Sequence, residues 1–273
     1  MSKFYDTFYN RALKLFEKAN QLDKPIREDV TWTLGLINGR NDYLDSQCHI
    51  LALVASIIIN EPTVPRIVCA WDTTDGDSPT RIKSSKYMNL LKSPFSVTNY
   101  EDRFSLGYRA KYLGLNFVKT PYGIMSDLDT ICLKPCIDKY VDKTKQHPNV
   151  FCWTNYKDRR AINSGFVVFN MDKYFRYYLP ALMQNYWNLP HRDSEFIKFL
   201  QKDGTLREKL TIGVIKDKKV ICTKFWWSAR RDDQLDENTS IYHAWKGDIK
   251  KGEDKFYEFY SSILDNLEVK WHQ

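Results

Sequence analysis

Two aspartates one residue apart, Asp127 and Asp129 in "PYGIMSDLDTICLKP", stand between two apolar runs. Carboxylates held that close raise each other's pKa and resist burial unless a cation or strong donors keep them charged. A divalent metal meets both needs. On an extended segment the period-2 spacing puts both carboxylates on one face and Leu128 on the other, which suits one hard cation. A second D-x-D triplet, Asp75 to Asp77 in "TTDGDSPT", has only polar loop neighbours and reads as a turn.

The elements that would position such a pair follow from hydrophobic periodicity. Residues 2–23 carry Phe4, Phe8, Ala12, Leu15, Ala19 and Leu22 at spacings of three and four, predicting a helix that packs on the body. A homodimer through this helix is the alternative use of the same face. "DVTWTLGLING" reads as a strand ending at the Asn38-Gly39 turn signal, "YLDSQCHILALVASIIIN" as a helix stopped by Pro62, and "RIVCAWD" as a second strand. A short polar helix is expected around 83–91, a third strand at "FSVTNY", and a helix around 104–113 feeding the aspartate pair. Alternating strands and helices predict a single α/β domain on a mostly parallel sheet. Residues 1–28 form its helical extension, 29–252 its core and 253–273 a C-terminal helix. Ligands of such sheets sit at the carboxyl ends of the strands, where Asn38, Asp72 and Asp127 all fall. Asn and Asp also favour turns for their own sake.

Composition narrows the classes. At 273 residues and 27% charged, the chain reads as a soluble globular protein. The opening "MSKFYDTFYNRALKLF" lacks the apolar run and cleavage site of a secretory signal, and the longest apolar run, residues 50–59, is too short to span a bilayer. The cytoplasm is the expected location. The six cysteines show no C-x-x-C pair and no zinc spacing, and most read as small buried hydrophobes. The net charge of +7 gathers in "RIKSSK", "KDRR" and "SARR", which attract phosphates, anionic surfaces or nucleic acid, or simply form a solvated basic surface.

Three motifs in order give these features a common meaning: "SDLDTICLKP", then "AINSGFVVFNMDKY", then "SIYHAWKGDIKK". The chain here resembles the nucleotide-sugar glycosyltransferases of GT-A fold, most closely glycosyltransferase family 8, over residues 31–251. The resemblance implies Mn²⁺ or Mg²⁺ held by Asp127, Asp129 and His243. Such an ion stabilises a departing diphosphate as a Lewis acid without proton transfer, and one imidazole among carboxylates tilts the choice toward Mn²⁺. It also implies a UDP-sugar donor, a hydroxyl acceptor and retention at the anomeric carbon. The His motif departs from the family's H-x-x-G-x-x-K followed by Pro-Trp. Three residues separate His243 from Gly247, and Lys251 stands in the place of the Pro, so the diphosphate-contacting lysine is either Lys250 or Lys246.

The remaining assignments rest on position. Asn163 offers an amide to sugar hydroxyls, and Ser164 and Gly165 let backbone approach the donor; an ordinary tight turn into a core strand is the alternative. The resemblance also implies that an acidic residue near the start of the helix in "HRDSEFIKFL" faces the transferred sugar, so Asp193 and Glu195 would stabilise the oxocarbenium-like centre or hold an acceptor hydroxyl, while Asp193 also makes a good helix N-cap. Asn38, Tyr43 and Asp72 fall where base and ribose contacts belong, and Arg109 where the donor is reached before the D-x-D. Trp226, Trp227 and Arg230 in "TKFWWSARRDDQ" would stack on and bind the acceptor, which is left open among glycan, protein, lipid-linked group and modified nucleic acid. Two rival readings differ in kind. "DLDTI" partly echoes the nucleophile motif of haloacid-dehalogenase phosphohydrolases, although that motif opens the first strand of its domain. A non-enzymatic nucleic-acid binder would use the basic clusters and the Trp pair instead.

Overall fold

The three-and-four spacing near the N-terminus produces α1 (Lys3–Ala19), and its apolar stripe lies inside the main core: Phe8, Ala12, Leu15, Phe16 and Ala19 are buried. The computed structural model describes residues 3–37, 43–72, 78–94, 111–146, 150–154, 162–185, 212–215, 220–224, 240–245 and 261–268. The last of these segments is a helix whose Ile263, Leu264 and Leu267 join the same core cluster as α1. Arg11 pairs with Asp265 at 2.9 Å, and Lys14 and Lys18 with Glu268 at 3.2 and 2.5 Å. These exposed pairs fix orientation more than stability. A homodimer through α1 would therefore have to use its polar side.

The body follows the expected alternation. β1 (Ile26–Ile37) leads to α2 (Tyr43–Asn60) and β2 (Val64–Asp72), with β1 and β2 parallel in register from Thr31 opposite Arg66 to Ile37 opposite Asp72. α2 ends where predicted; Asn60 turns its amide back to the Ser56 carbonyl at 3.0 Å and across to that of Cys132 at 2.9 Å. Residues 83–91 differ from the expected polar helix. Ser84 Oγ accepts from the Leu90 amide at 2.9 Å and Ser85 Oγ from that of Met88 at 3.3 Å, closing a turn that delivers edge strand β3 (Met88–Lys92) parallel to β2. Serine side chains compete with helical bonding in this way. "FSVTNY" lies outside the described residues.

Further along come a 3-10 turn (Gly114–Phe117), β4 (Tyr122–Ser126), β5 (Thr130–Cys132), α3 (Ile137–Gln146), β6 (Val150–Thr154) and β7 (Ile162–Asn170). A helix over residues 171–185 follows, its middle turn Tyr174–Tyr178 π-helical, and then β8 (Ile212–Ile215), β9 (Val220–Lys224) and β10 (Ile241–Trp245). The described strands form a seven-stranded sheet, β3-β2-β1-β4-β7-β6-β8, and a three-stranded sheet, β5-β10-β9. In the larger sheet only β7 runs against its neighbours.

Both faces of this sheet are covered, and period-2 alternation sorts its side chains into two cores. Trp32, Ile124, Phe166 and Val168 point into the cluster shared with α1, α2 and α3, whereas Met125, Val167 and Phe169 point into one with Leu115, Met171, Tyr174 and Tyr178. Gly114 sits so close on β1 that a Cβ would stand 2.7 Å from that of Thr33. The expected α/β class with a mostly parallel, helix-flanked sheet is the observed one.

Candidate active site

β4 carries the chain to the carboxyl edge of the large sheet. Its last residue, Ser126, is anchored from below by Trp32, whose indole N–H donates to Ser126 Oγ at 2.8 Å in the buried core. Asp127 follows, and its backbone N–H donates to the Gly165 carbonyl at 2.7 Å. Leu128 and Asp129 then form a turn before Thr130 opens β5. This corrects the extended geometry expected for the pair. β4 belongs to one sheet and β5 to the other, so the chain must change direction between Ser126 and Thr130, and the aspartate-rich segment supplies the bend. Asp127, Leu128 and Asp129 are all partly exposed there.

Long-range pairing brings the other two motifs to this turn. β7 runs antiparallel to β4 with Phe166 opposite Ser126, so Asn163, Ser164 and Gly165 enter alongside Asp127. β10 runs antiparallel to β5 with the His243 backbone opposite Thr130, the residue after Asp129. Segments far apart in sequence thus flank the aspartate pair on either side. On the neighbouring strands Asp72 ends β2 buried, in register with Ile37 at the end of β1, and Tyr43 opens α2. Asn38, Arg109, Asp193, Glu195, Trp226, Trp227, Arg230, Gly247 and Lys250 lie outside the described residues, as does the Asp75 to Asp77 triplet.

One charged group at the pair was visible upstream in the sequence but given no role. Lys111, on a helical segment entering the 3-10 turn, is nearly buried and forms an ion pair with Asp127 Oδ1. The ammonium is 9% exposed and the carboxylate 21%. That setting lies between a surface pair, worth under about 1 kcal/mol, and a fully buried one, whose breaking costs about 3–5 kcal/mol. Lys111→Met, which keeps the packing stem, is expected to lower unfolding free energy by about 2 kcal/mol in urea titrations. Adding Asp127→Asn should restore at least half of that loss. A double variant as unstable as the sum of the two singles would show that the ion pair contributes nothing.

A second group of potential metal ligands lies elsewhere in the fold. Among the described residues, Glu61, Cys132 and Cys136 hold their ligand atoms within 4.8 Å of one another, and all three are buried. Cys132 and Cys136 do stand at a C-x3-C spacing compatible with zinc, which corrects the reading that the cysteines have no zinc spacing; Glu61 was concealed because it stands far from them along the chain. Among the described residues, no helix is long and apolar enough to cross a membrane.

No family model matches the sequence, and no curated protein does. Solved structures do match. The chain superposes on an active-site mutant of LgtC with a TM-score of 0.51 at 12% identity, over 86% of this chain and 95% of that one. It superposes on the glycosyltransferase GlyE of Streptococcus pneumoniae with a TM-score of 0.52 at 13% identity, over 88% of this chain and 63% of GlyE, less than two thirds of that protein's length. At such identities the likeness is one of fold, and the fold shared with these proteins is the mostly parallel, helix-flanked α/β sheet described above.

Proposed function

We propose that the chain is a metal-dependent glycosyltransferase that moves a sugar from a nucleotide sugar, a UDP-sugar, to a hydroxyl acceptor with retention. The observation that carries this reading is convergence at one strand end: the Asp127 amide on the Gly165 carbonyl, and Thr130 opposite His243. A haloacid-dehalogenase motif would open the first strand of its domain. Here the pair follows β4, the fourth of the described strands.

The residues fit a hard divalent cation. Two partly exposed carboxylates stand at a turn beside the strand that carries a histidine, and oxygen donors with one imidazole suit Mn²⁺. Asp127, Asp129 and His243 would hold the ion, which when bound supplies Lewis-acid stabilisation of the departing diphosphate. The chain's own groups do the rest. The Lys111 ammonium orients the Asp127 carboxylate, and Trp32 through Ser126 fixes the strand end from the core side. Asn163 and Ser164, at the start of β7, would serve the transferred sugar. Asp193 or Glu195 serves the anomeric centre, Asp72, Asn38 and Tyr43 the nucleoside, Arg109 and Gly247 with Lys250 the donor phosphates, and Trp226, Trp227 and Arg230 the acceptor.

A donor panel tests this. UDP-, GDP- and CDP-sugars are incubated with the protein and Mn²⁺ without acceptor, and nucleoside diphosphate release is measured. Slow release of UDP from one or two UDP-hexoses or UDP-pentoses is expected, because a site built to stabilise the leaving group also serves water as a poor acceptor. Release from no donor, together with nucleotide binding indifferent to metal, would leave the fold without this chemistry. Phosphate release from simple phosphomonoesters would favour the phosphohydrolase instead.

A further inference from the structure

A cluster of buried ligand atoms of different chemistry lies at β5, the strand that follows the aspartate pair. We propose that Glu61, Cys132 and Cys136, with the Lys134 carbonyl, form a structural site for a thiophilic divalent ion of the zinc class, clamping β5 to the end of α2 and the start of α3. Soft thiolates select such an ion over the Mg²⁺ or Mn²⁺ preferred by carboxylates alone.

The donor atoms stand together at one place in the core. Glu61 Oε1 accepts from the amides of Cys136 at 2.8 Å and Ile137 at 3.3 Å, and from the Cys132 thiol at 3.8 Å. The Cys132 sulfur also reaches the Lys134 carbonyl at 3.3 Å. Ligand atoms on a tetrahedral zinc stand about 3.3–3.8 Å apart, so closure from the present spacing needs shifts of about 1 Å or less. Capping of α3 accounts for the carboxylate and the two amides. It does not account for two buried thiols gathered within 4.8 Å of that carboxylate.

Charge balance is compatible with an ion. Binding releases both thiol protons, so Zn²⁺ with two thiolates and one carboxylate carries a net charge of −1. The Lys24 ammonium, held by the carbonyls of Ile59 at 2.7 Å and Glu61 at 2.9 Å, offsets it together with the amino end of α3. The amides on Glu61 would orient the ligating carboxylate from behind.

X-ray absorption at the zinc edge tests this on the full, reduced chain loaded with a single equivalent of Zn²⁺. Two sulfur neighbours at about 2.3 Å are expected, with oxygen completing the shell. Cys132→Ser and Cys136→Ser should each lower the sulfur count, and Asp129→Asn should leave it unchanged. Co²⁺ in place of Zn²⁺ should give thiolate-to-metal charge-transfer absorption with the same dependence. A shell of nitrogen and oxygen only overturns the proposal whether or not the cysteine variants fold, since it is read on the unmutated chain. So does a sulfur count unmoved by both serine variants, which would place the ion at other cysteines. Either failure leaves the transfer reading untouched, because the two sites share no ligand.

Discussion

Asp129→Asn is expected to lower Mn²⁺-dependent UDP release by about 10³-fold, roughly 4 kcal/mol of lost transition-state stabilisation, while leaving urea unfolding within about 0.5 kcal/mol of the parent. Asparagine keeps the shape and turn preference of aspartate, so the bend between β4 and β5 survives while the proposed anionic metal ligand is lost. Asp129 is the cleaner position for this test because Asp127 also holds Lys111. Asp127→Ala should abolish turnover and also alter stability, which confounds the two effects. Calorimetry supplies the second readout: UDP should bind the parent far more tightly with Mn²⁺ than with EDTA, and that difference should shrink in Asp129→Asn. Turnover within threefold of the parent would remove Asp129 from the chemistry and with it the metal reading.

Much of the scaffold was legible because it is written in local periodicity. α1 and α2 follow from apolar spacing and a terminal Asn-Glu-Pro, and β1 and β2 from apolar runs closed by turn residues. The three motifs could be ordered from sequence, but their convergence could not be seen. It depends on β7 reversing beside β4 and on β10 crossing to β5, pairings set by long-range burial rather than by neighbouring residues. The same limit hid the Glu61 and cysteine group and the partnership of Lys111 with Asp127. The errors have local causes. Polar residues around 83–91 looked helical because the forward bonds of Ser84 and Ser85 carry no periodicity. The aspartate pair looked extended because apolar runs flank it, although those runs belong to different sheets.

Phe166→Ala is expected to cost about 3–5 kcal/mol in urea unfolding, a large part of the stability of an ordinary domain. The ring is fully buried, edge-on to Trp32 at 5.4 Å and to Tyr140 at 5.3 Å, where α3 packs on the sheet. Truncation removes dispersion contacts on both sides and leaves a cavity that two large aromatics cannot easily fill. Phe166→Leu, which keeps most of the volume, should cost only about 1 kcal/mol. The position also touches the proposed site, because Phe166 pairs with Ser126 and follows Gly165, the acceptor of the Asp127 amide. Phe169 makes the control. It is equally buried but points into the other core, against Tyr174 and Tyr178, and stands opposite Gly123 toward the far end of β4. Both alanine variants should lose similar stability. Under conditions where both remain folded, only Phe166→Ala should weaken Mn²⁺-dependent UDP binding, by about tenfold, the effect of a modest misplacement at a supporting residue. Equal weakening in both variants would mean that general loosening, rather than the β4–β7 register beneath Asp127, governs the site.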